Sequence, residues 1–350
     1  MTKAKHRKPL SGLVITLVLL FTAANAQDFV FASNRLRAEP ATGPSGTPLH
    51  QNDLFIYRNG SEIRLTFTPT EDEWDPQPSP SGRYLAYLVN DTIIDWTADE
   101  LPQTWNWLVR IMDLETGLTL EEWPIPRAAG STRVAGGFDF AWSPDENALL
   151  AQGFHDDGHG IIFRFEVGNP EPVSLTRGLG VFLHPELAWF ATTQDGFVTV
   201  IDPLSGNQYP LEAGEALGWL GDEVIVGGDD RLKLMNPVTA EETRLDSTND
   251  YYPVFVTSPA GTRHAWISYA RDSAGTVITV VDSSFDRLAS WLYNDFIDSL
   301  VWLDEESLIV NGMLGDNLAI TQVRVEDGAE IVLVATRSDN MNVRLMPGAE

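Results

Sequence analysis

Glu73-Trp74-Asp75-Pro76-Gln77-Pro78-Ser79-Pro80-Ser81-Gly82-Arg83-Tyr84-Leu85-Ala86-Tyr87-Leu88-Val89 reads as a short acidic loop, then a strand ending in a Ser-Pro turn, then an apolar strand. The same order returns at Phe140-Ala141-Trp142-Ser143-Pro144-Asp145, ahead of the run from Ala148 to Ala151. It returns again at Tyr252-Pro253-Val254 and Ser258-Pro259-Ala260-Gly261, ahead of Ala265 to Ile267. Shorter versions stand at His184-Pro185-Glu186, Leu220-Gly221-Asp222-Glu223, Leu303-Asp304-Glu305-Glu306 and Met346-Pro347-Gly348. The turns begin at residues 79, 143, 184, 220, 258, 303 and 346, so all steps but the first span 36 to 45 residues.

A period of that length is what one four-stranded blade of a radial β-sheet array requires. Seven turns predict seven blades. A second periodicity agrees with the first: apolar strands end repeatedly in Asp or Asn before a tight turn, at Asp113, Asp202, Asn236 and Asp282. Such side chains accept hydrogen bonds from the backbone two residues on, so these acids read as hairpin punctuation rather than catalytic groups. Elsewhere the chain is strand after strand, rich in Val, Ile, Leu, Phe and Trp and broken by Gly, Pro, Asp and Asn, with no sustained helical period. The prediction is an all-β, seven-bladed β-propeller of four-stranded antiparallel blades. A two-sheet sandwich is the other all-β arrangement, but it leaves a repeat that runs through the whole chain unexplained.

The repeat resembles that of the TolB-like β-propellers, also called WD40-like or PD40 repeats. The match runs from Arg64-Leu65-Thr66 through Asp72, Trp74, Asp75, Pro76, Ser79, Pro80 and Gly82 to Tyr84-Leu85-Ala86-Tyr87. Phe31-Ala32-Ser33-Asn34-Arg35 before Asp53-Leu54-Phe55-Ile56-Tyr57 is similar to the same family. The resemblance covers about residues 28–90 and 138–166 and implies a propeller fold; it does not imply a role in the Tol system. Peptidases that share this repeat carry a Gly-x-Ser-x-Gly elbow, a pentapeptide this chain lacks. The first blade starts without an innermost strand, and Asp339 to Gly348 has the pattern of one, so the C-terminal strand is expected to close the ring beside Phe29 to Ser33. Trp142, Trp219 and Trp302 fall just before their turns and are expected to pack between blades.

Residues 1–26 read as a Sec-type signal peptide: Lys3, Lys5, Arg7 and Lys8, an apolar run from Leu13 to Phe21, then Ala24-Asn25-Ala26. The run is shorter than a membrane span needs. The expected product is therefore a single propeller domain over residues 27–350, exported to a periplasm or the extracellular medium without membrane insertion. Four of the 23 Lys and Arg and none of the 50 Asp and Glu leave with the leader, taking the formal charge from −27 to −31. Such a surface repels phosphate backbones, so nucleic acid is not an expected partner. With no cysteine, disulfides, thiolate metal sites and cysteine nucleophiles are excluded.

Loops joining second to third strands, and one blade to the next, share a rim of a propeller, where insertions need not disturb the sheets. The largest expected insertions, Leu36 to Asn52 and Asp91 to Thr104, fall there. Candidate ligand- or partner-binding residues follow from aromatics beside acids: Trp96, Trp105 and Trp107, then Asp72, Glu73 and Trp74, then Asp250, Tyr251 and Tyr252. His155, Asp157 and His159 form a weak candidate for a divalent metal in a sequence that equally makes a turn; otherwise no cofactor is expected. No catalytic residue is assigned, since neither a Ser-His-Asp order nor a phosphate loop is present. The chain reads as a non-enzymatic binding or scaffold propeller for a protein, peptide or glycan, recognised through the insertion-bearing rim. The alternative is a carbohydrate lyase or hydrolase with its site at the channel mouth.

Overall fold

The computed structural model describes residues 28–33, 52–68, 71–90, 107–125, 140–154, 160–227, 231–246, 250–270, 275–293, 297–314, 317–336 and 340–346. They form seven four-stranded antiparallel sheets. Six of the sheets are consecutive in the chain, beginning with Asp72–Pro78, Phe140–Trp142, Leu179–Leu183, Glu215–Leu220, Asp250–Thr257 and Ile297–Trp302 as the first strands of blades two to seven. Blade one is composite. Its first strand is Asn340–Leu345, which lies beside Phe29–Ser33, Asp53–Arg58 and Ser61–Arg64, in that order. The register pairs Phe29 with Leu345, Val30 with Arg344 and Ala32 with Met341, and the Met346 N–H donates to the Asp28 carbonyl at 2.8 Å. The terminal strand thus closes the ring and removes two sheet edges that would invite association.

The core is radial. Buried apolar residues fall into seven clusters, and each fills the wedge between two neighbouring blades. The strand Tyr84–Asn90 shows why its sequence is apolar throughout instead of alternating. Successive side chains of a strand point to opposite faces of the sheet. Leu85, Tyr87 and Val89 pack with blade one, and Ala86 and Leu88 pack with blade three. Both faces are buried, so both sets must be apolar.

The turns follow the sequence pattern. Ser79, Ser143 and Ser258 each accept, on the hydroxyl, the backbone N–H five residues on, at 2.9–3.1 Å. Gly82, at φ 71°, takes the left-handed conformation that ends the Ser-Pro turn of blade two, where a side chain would be strained. At the third-to-fourth strand hairpins, Asp113, Asp202, Asn236 and Asp282 accept backbone N–H bonds of 2.9–3.3 Å from two to four residues on. Bonds to the ionised form hold two of these carboxyls below the usual range, Asp113 chiefly through the Thr116 N–H and Asp202 chiefly through the Ser205 hydroxyl, with the backbone N–H bonds adding to it.

These two classes of turn share one rim of the ring, the turn rim. The opposite loop rim receives the second-to-third strand and blade-to-blade connections, so both expected insertions leave the ring there. Of their residues the structure describes only Asn52.

Candidate functional site

The sequence reading places Asp72, Glu73 and Trp74 in a blade-connecting loop. Instead they begin the first strand of blade two, because the chain enters the sheet at Asp72 and takes its irregularity later, in a bulge at Asp75-Pro76 where Asp75 has φ 47°. The consequence is burial. Asp72 accepts both the backbone and side-chain N–H of Asn52, at 2.6 and 3.0 Å, and Glu73 accepts the Thr68 hydroxyl. The Glu73 N–H donates to the Asn52 carbonyl at 3.1 Å. These two acids join blade one to blade two and do not stand open at the mouth.

Trp74 and Trp107 are half-buried and pack against the cluster between blades two and three. Asp250, Tyr251 and Tyr252 likewise lie in a first strand, Asp250–Thr257, rather than in a loop. Trp96, Trp105, His155, Asp157 and His159 lie outside the described residues. Among the described residues no group of three or more His, Asp or Glu is arranged to hold a metal ion.

A further ionic group ties two strands of blade two to the residue just before its first strand. Arg110 makes paired bonds to Glu71, at 2.6 and 3.0 Å, and bonds to Glu122 at 2.6 and 2.9 Å. Burial disfavours its charge, but the two carboxylates outweigh this and hold its pKa above the ordinary arginine value. Burial also pushes the neighbouring Tyr87 hydroxyl up to about 12, with Arg110 partly offsetting it.

The tryptophans expected between blades are there, and their polar ends show a rule that residue types alone could not. The indole N–H of Trp142 donates to the Gln77 carbonyl at 3.0 Å, that of Trp219 to Phe182 at 2.8 Å, and that of Trp302 to Val256 at 3.2 Å. Each acceptor lies two residues before the turn of the preceding blade.

Two of these indoles shape a cleft that the sequence did not announce. It lies where the first strands of blades two to five approach the turn rim, with a volume of about 430 Å³. Its walls include Gln77, Pro80, Phe140, Trp142, Phe182 and Trp219, and no residue lining it is titratable. The volume falls within the usual range for a ligand cleft, and the cleft is open to solvent, with an aromatic wall and a polar share in its lining. Three polar groups of its wall are already engaged: the Gln77 and Phe182 carbonyls by the indoles, and the Gln77 side-chain oxygen by Arg344 at 3.1 Å. Four separate blades contribute to it, so no local motif could have revealed it.

Comparison with solved structures finds the same architecture. A structure from work on two prolyl endopeptidases and the role of inter-domain dynamics in their catalysis and specificity superposes with a TM-score of 0.62 at 12% identity, over 91% of this chain and 50% of that one. TolB from Acinetobacter baumannii gives a TM-score of 0.46 at 13% identity, over 75% of this chain and 62% of that one. The likeness is one of fold. This chain spans about half the length of the endopeptidase and under two thirds of TolB. No family model and no curated protein matches the sequence.

Proposed function

We propose that this propeller is an exported binding scaffold for a protein, peptide or glycan. The observation that carries the reading is the cleft: apolar and aromatic walls, fixed by indole hydrogen bonds, with no titratable side chain among them. Acid–base hydrolysis of a glycosidic bond needs two carboxyl groups facing the substrate, and a wall of Phe, Trp, Pro and Gln supplies none. Such a wall suits instead the desolvated centre of an interface, where rigid aromatics supply most of the affinity. The loop rim, with its two insertions, is a second contact surface under the same reading.

The test is retention of a partner from the native envelope by immobilised protein in three forms: unaltered, lacking Asp91 to Thr104, and carrying Phe182→Ala. Phe182 is half-buried, so a melting curve must first show that this variant folds. Loss with Phe182→Ala assigns the partner to the cleft, and loss with the deletion assigns it to the loop rim. Retention of the same partner by all three overturns both assignments.

A further inference from the structure

The turn rim around the cleft is acidic. On the blades that line the cleft, the first-to-second strand turns carry Asp145 in blade three, Glu186 in blade four and Asp222 in blade five, all exposed; across the ring, blade seven adds the exposed Asp304 and Glu306 to the same rim. The Asp222 side chain is 87% exposed. Cations at these turns are few and already committed. Arg83 is drawn sideways to Asp113, at 3.1 and 3.2 Å, and Arg263 donates to the Glu305 carbonyl at 2.6 Å. Arg64 and Arg110 pair with acids of blades one and two away from this mouth, and Arg344 is held by Asp75 and Gln77. A hollow flanked on three of its four blades by acidic turns concentrates their field, because low-dielectric walls do not screen it.

We propose that the turn-rim mouth takes a cationic peptide segment of a partner protein, with one large apolar side chain in the cleft and lysines or arginines on either side against the acidic turns. This rests on the cleft reading above and names the class of its occupant. Two features select that class together. The cleft has room for a large side chain, and its aromatic walls with no titratable group suit an apolar one. The rim repels carboxylate- or phosphate-bearing ligands, and an anionic peptide with the same apolar residue would be rejected by charge alone.

The experiment is fluorescence polarisation with three labelled synthetic peptides: a central Phe flanked by lysines, the same with glutamates for the lysines, and the lysine peptide with Gly for Phe. The first should bind, weaken about tenfold or more between low and high salt, and exceed the other two by at least about tenfold. Glu186→Lys reverses rim charge on a blade that lines the cleft, at a side chain that makes no hydrogen bond among the described residues, and Pro80→Lys places a cation on an exposed cleft residue. Both variants should weaken the first peptide about tenfold while melting like the unaltered protein. Equal binding of the lysine and glutamate peptides overturns the cationic class but leaves the cleft. Equal binding of the Phe and Gly peptides shows diffuse charge attraction and overturns the proposal, as does indifference to Pro80→Lys. Absence of binding by all three overturns the class too, whereas the cleft itself stands or falls by partner retention in Phe182→Ala.

Discussion

The junctions between blades two and three, four and five, and six and seven are built differently from those between three and four and between five and six. In the first set an indole from the later blade donates to a carbonyl of the earlier one. At the same junctions an acid in the later turn meets the earlier turn. Glu146 accepts the Ser81 N–H and hydroxyl, Asp222 stands 3.4 Å from His184 Nε2, and Glu305 accepts the Ala260 N–H at 2.7 Å and the Thr262 hydroxyl. Outer strands add to all three: the Trp123 indole donates to the Asn169 carbonyl, Glu212 pairs with Lys233, and Trp291 covers Gly328.

Among the described residues, neither turn-rim device occurs at the other two junctions. The position of the indole is taken there by Leu183 and Thr257. Between three and four, Gln152 instead accepts the Gly180 N–H at 2.6 Å. Between five and six, Phe255 lies between Trp266 and His264, which in turn stacks on Phe285. Six of the blades are thus fastened in pairs on the turn rim, and blade one, made from both ends of the chain, stands between the pairs.

Removing an indole should break this contrast most visibly. Trp302→Ala, at a residue only 2% exposed, should cost about 3–5 kcal/mol in denaturant unfolding, from lost burial and a carbonyl left without its donor. Leu183→Ala, at the equivalent half-buried position of an unfastened junction, should cost about 1–2 kcal/mol. Equal losses would mean that the pairing carries no energetic weight.

Gly328→Ala comes next. The residue has φ 68°, and an added methyl would meet the Trp291 indole nitrogen at 2.5 Å, so a loss of about 1–3 kcal/mol is expected. Gly206→Ala, with φ 75° but open space around it, should lose less, by the part due to the clash.

Two effects of pH should be smaller. Partial burial works against the Glu305 charge, but bonds from Thr262 and the Ala260 N–H outweigh it and hold its pKa below the ordinary value of 4.5. Its contribution is present above that value and is lost as the pH falls through the folded pKa. Glu305→Gln should therefore destabilise at neutral pH and converge with the unaltered protein in acid, as followed by melting temperature. Burial lowers the His264 pKa from 6.5, so the unfolded chain takes up the proton first. Stability is full above about pH 6.5 and declines below it. His264→Gln should flatten that decline, and an unchanged slope would remove His264 as its cause.

How much of this was legible depends on how far apart the interacting residues lie. The Ser-Pro turns and the Asp and Asn caps act within a few residues of themselves, so spacing alone disclosed the blades and their count. Ring closure was legible because blade one begins visibly one strand short. The pairing was not, because Glu305 and Ala260 meet across 45 residues and nothing local distinguishes their turns from the rest. Asp72 and Glu73 misled for a related reason. Two acids beside a turn look solvated, and only the inward course of the first strand, with Asn52 and Thr68 waiting for them, buries both.

A disulfide across the closure tests the ring most directly, in a chain with no cysteine of its own. Ala32 and Met341 are register partners from opposite ends of the sequence. Ala32→Cys with Met341→Cys should cross-link nearly completely under mild oxidation and raise the melting temperature, while Ala32→Cys paired with a cysteine at Ser307 should not. Failure of the first pair to close, or equal closure of both, would contradict a propeller sealed by its terminal strand.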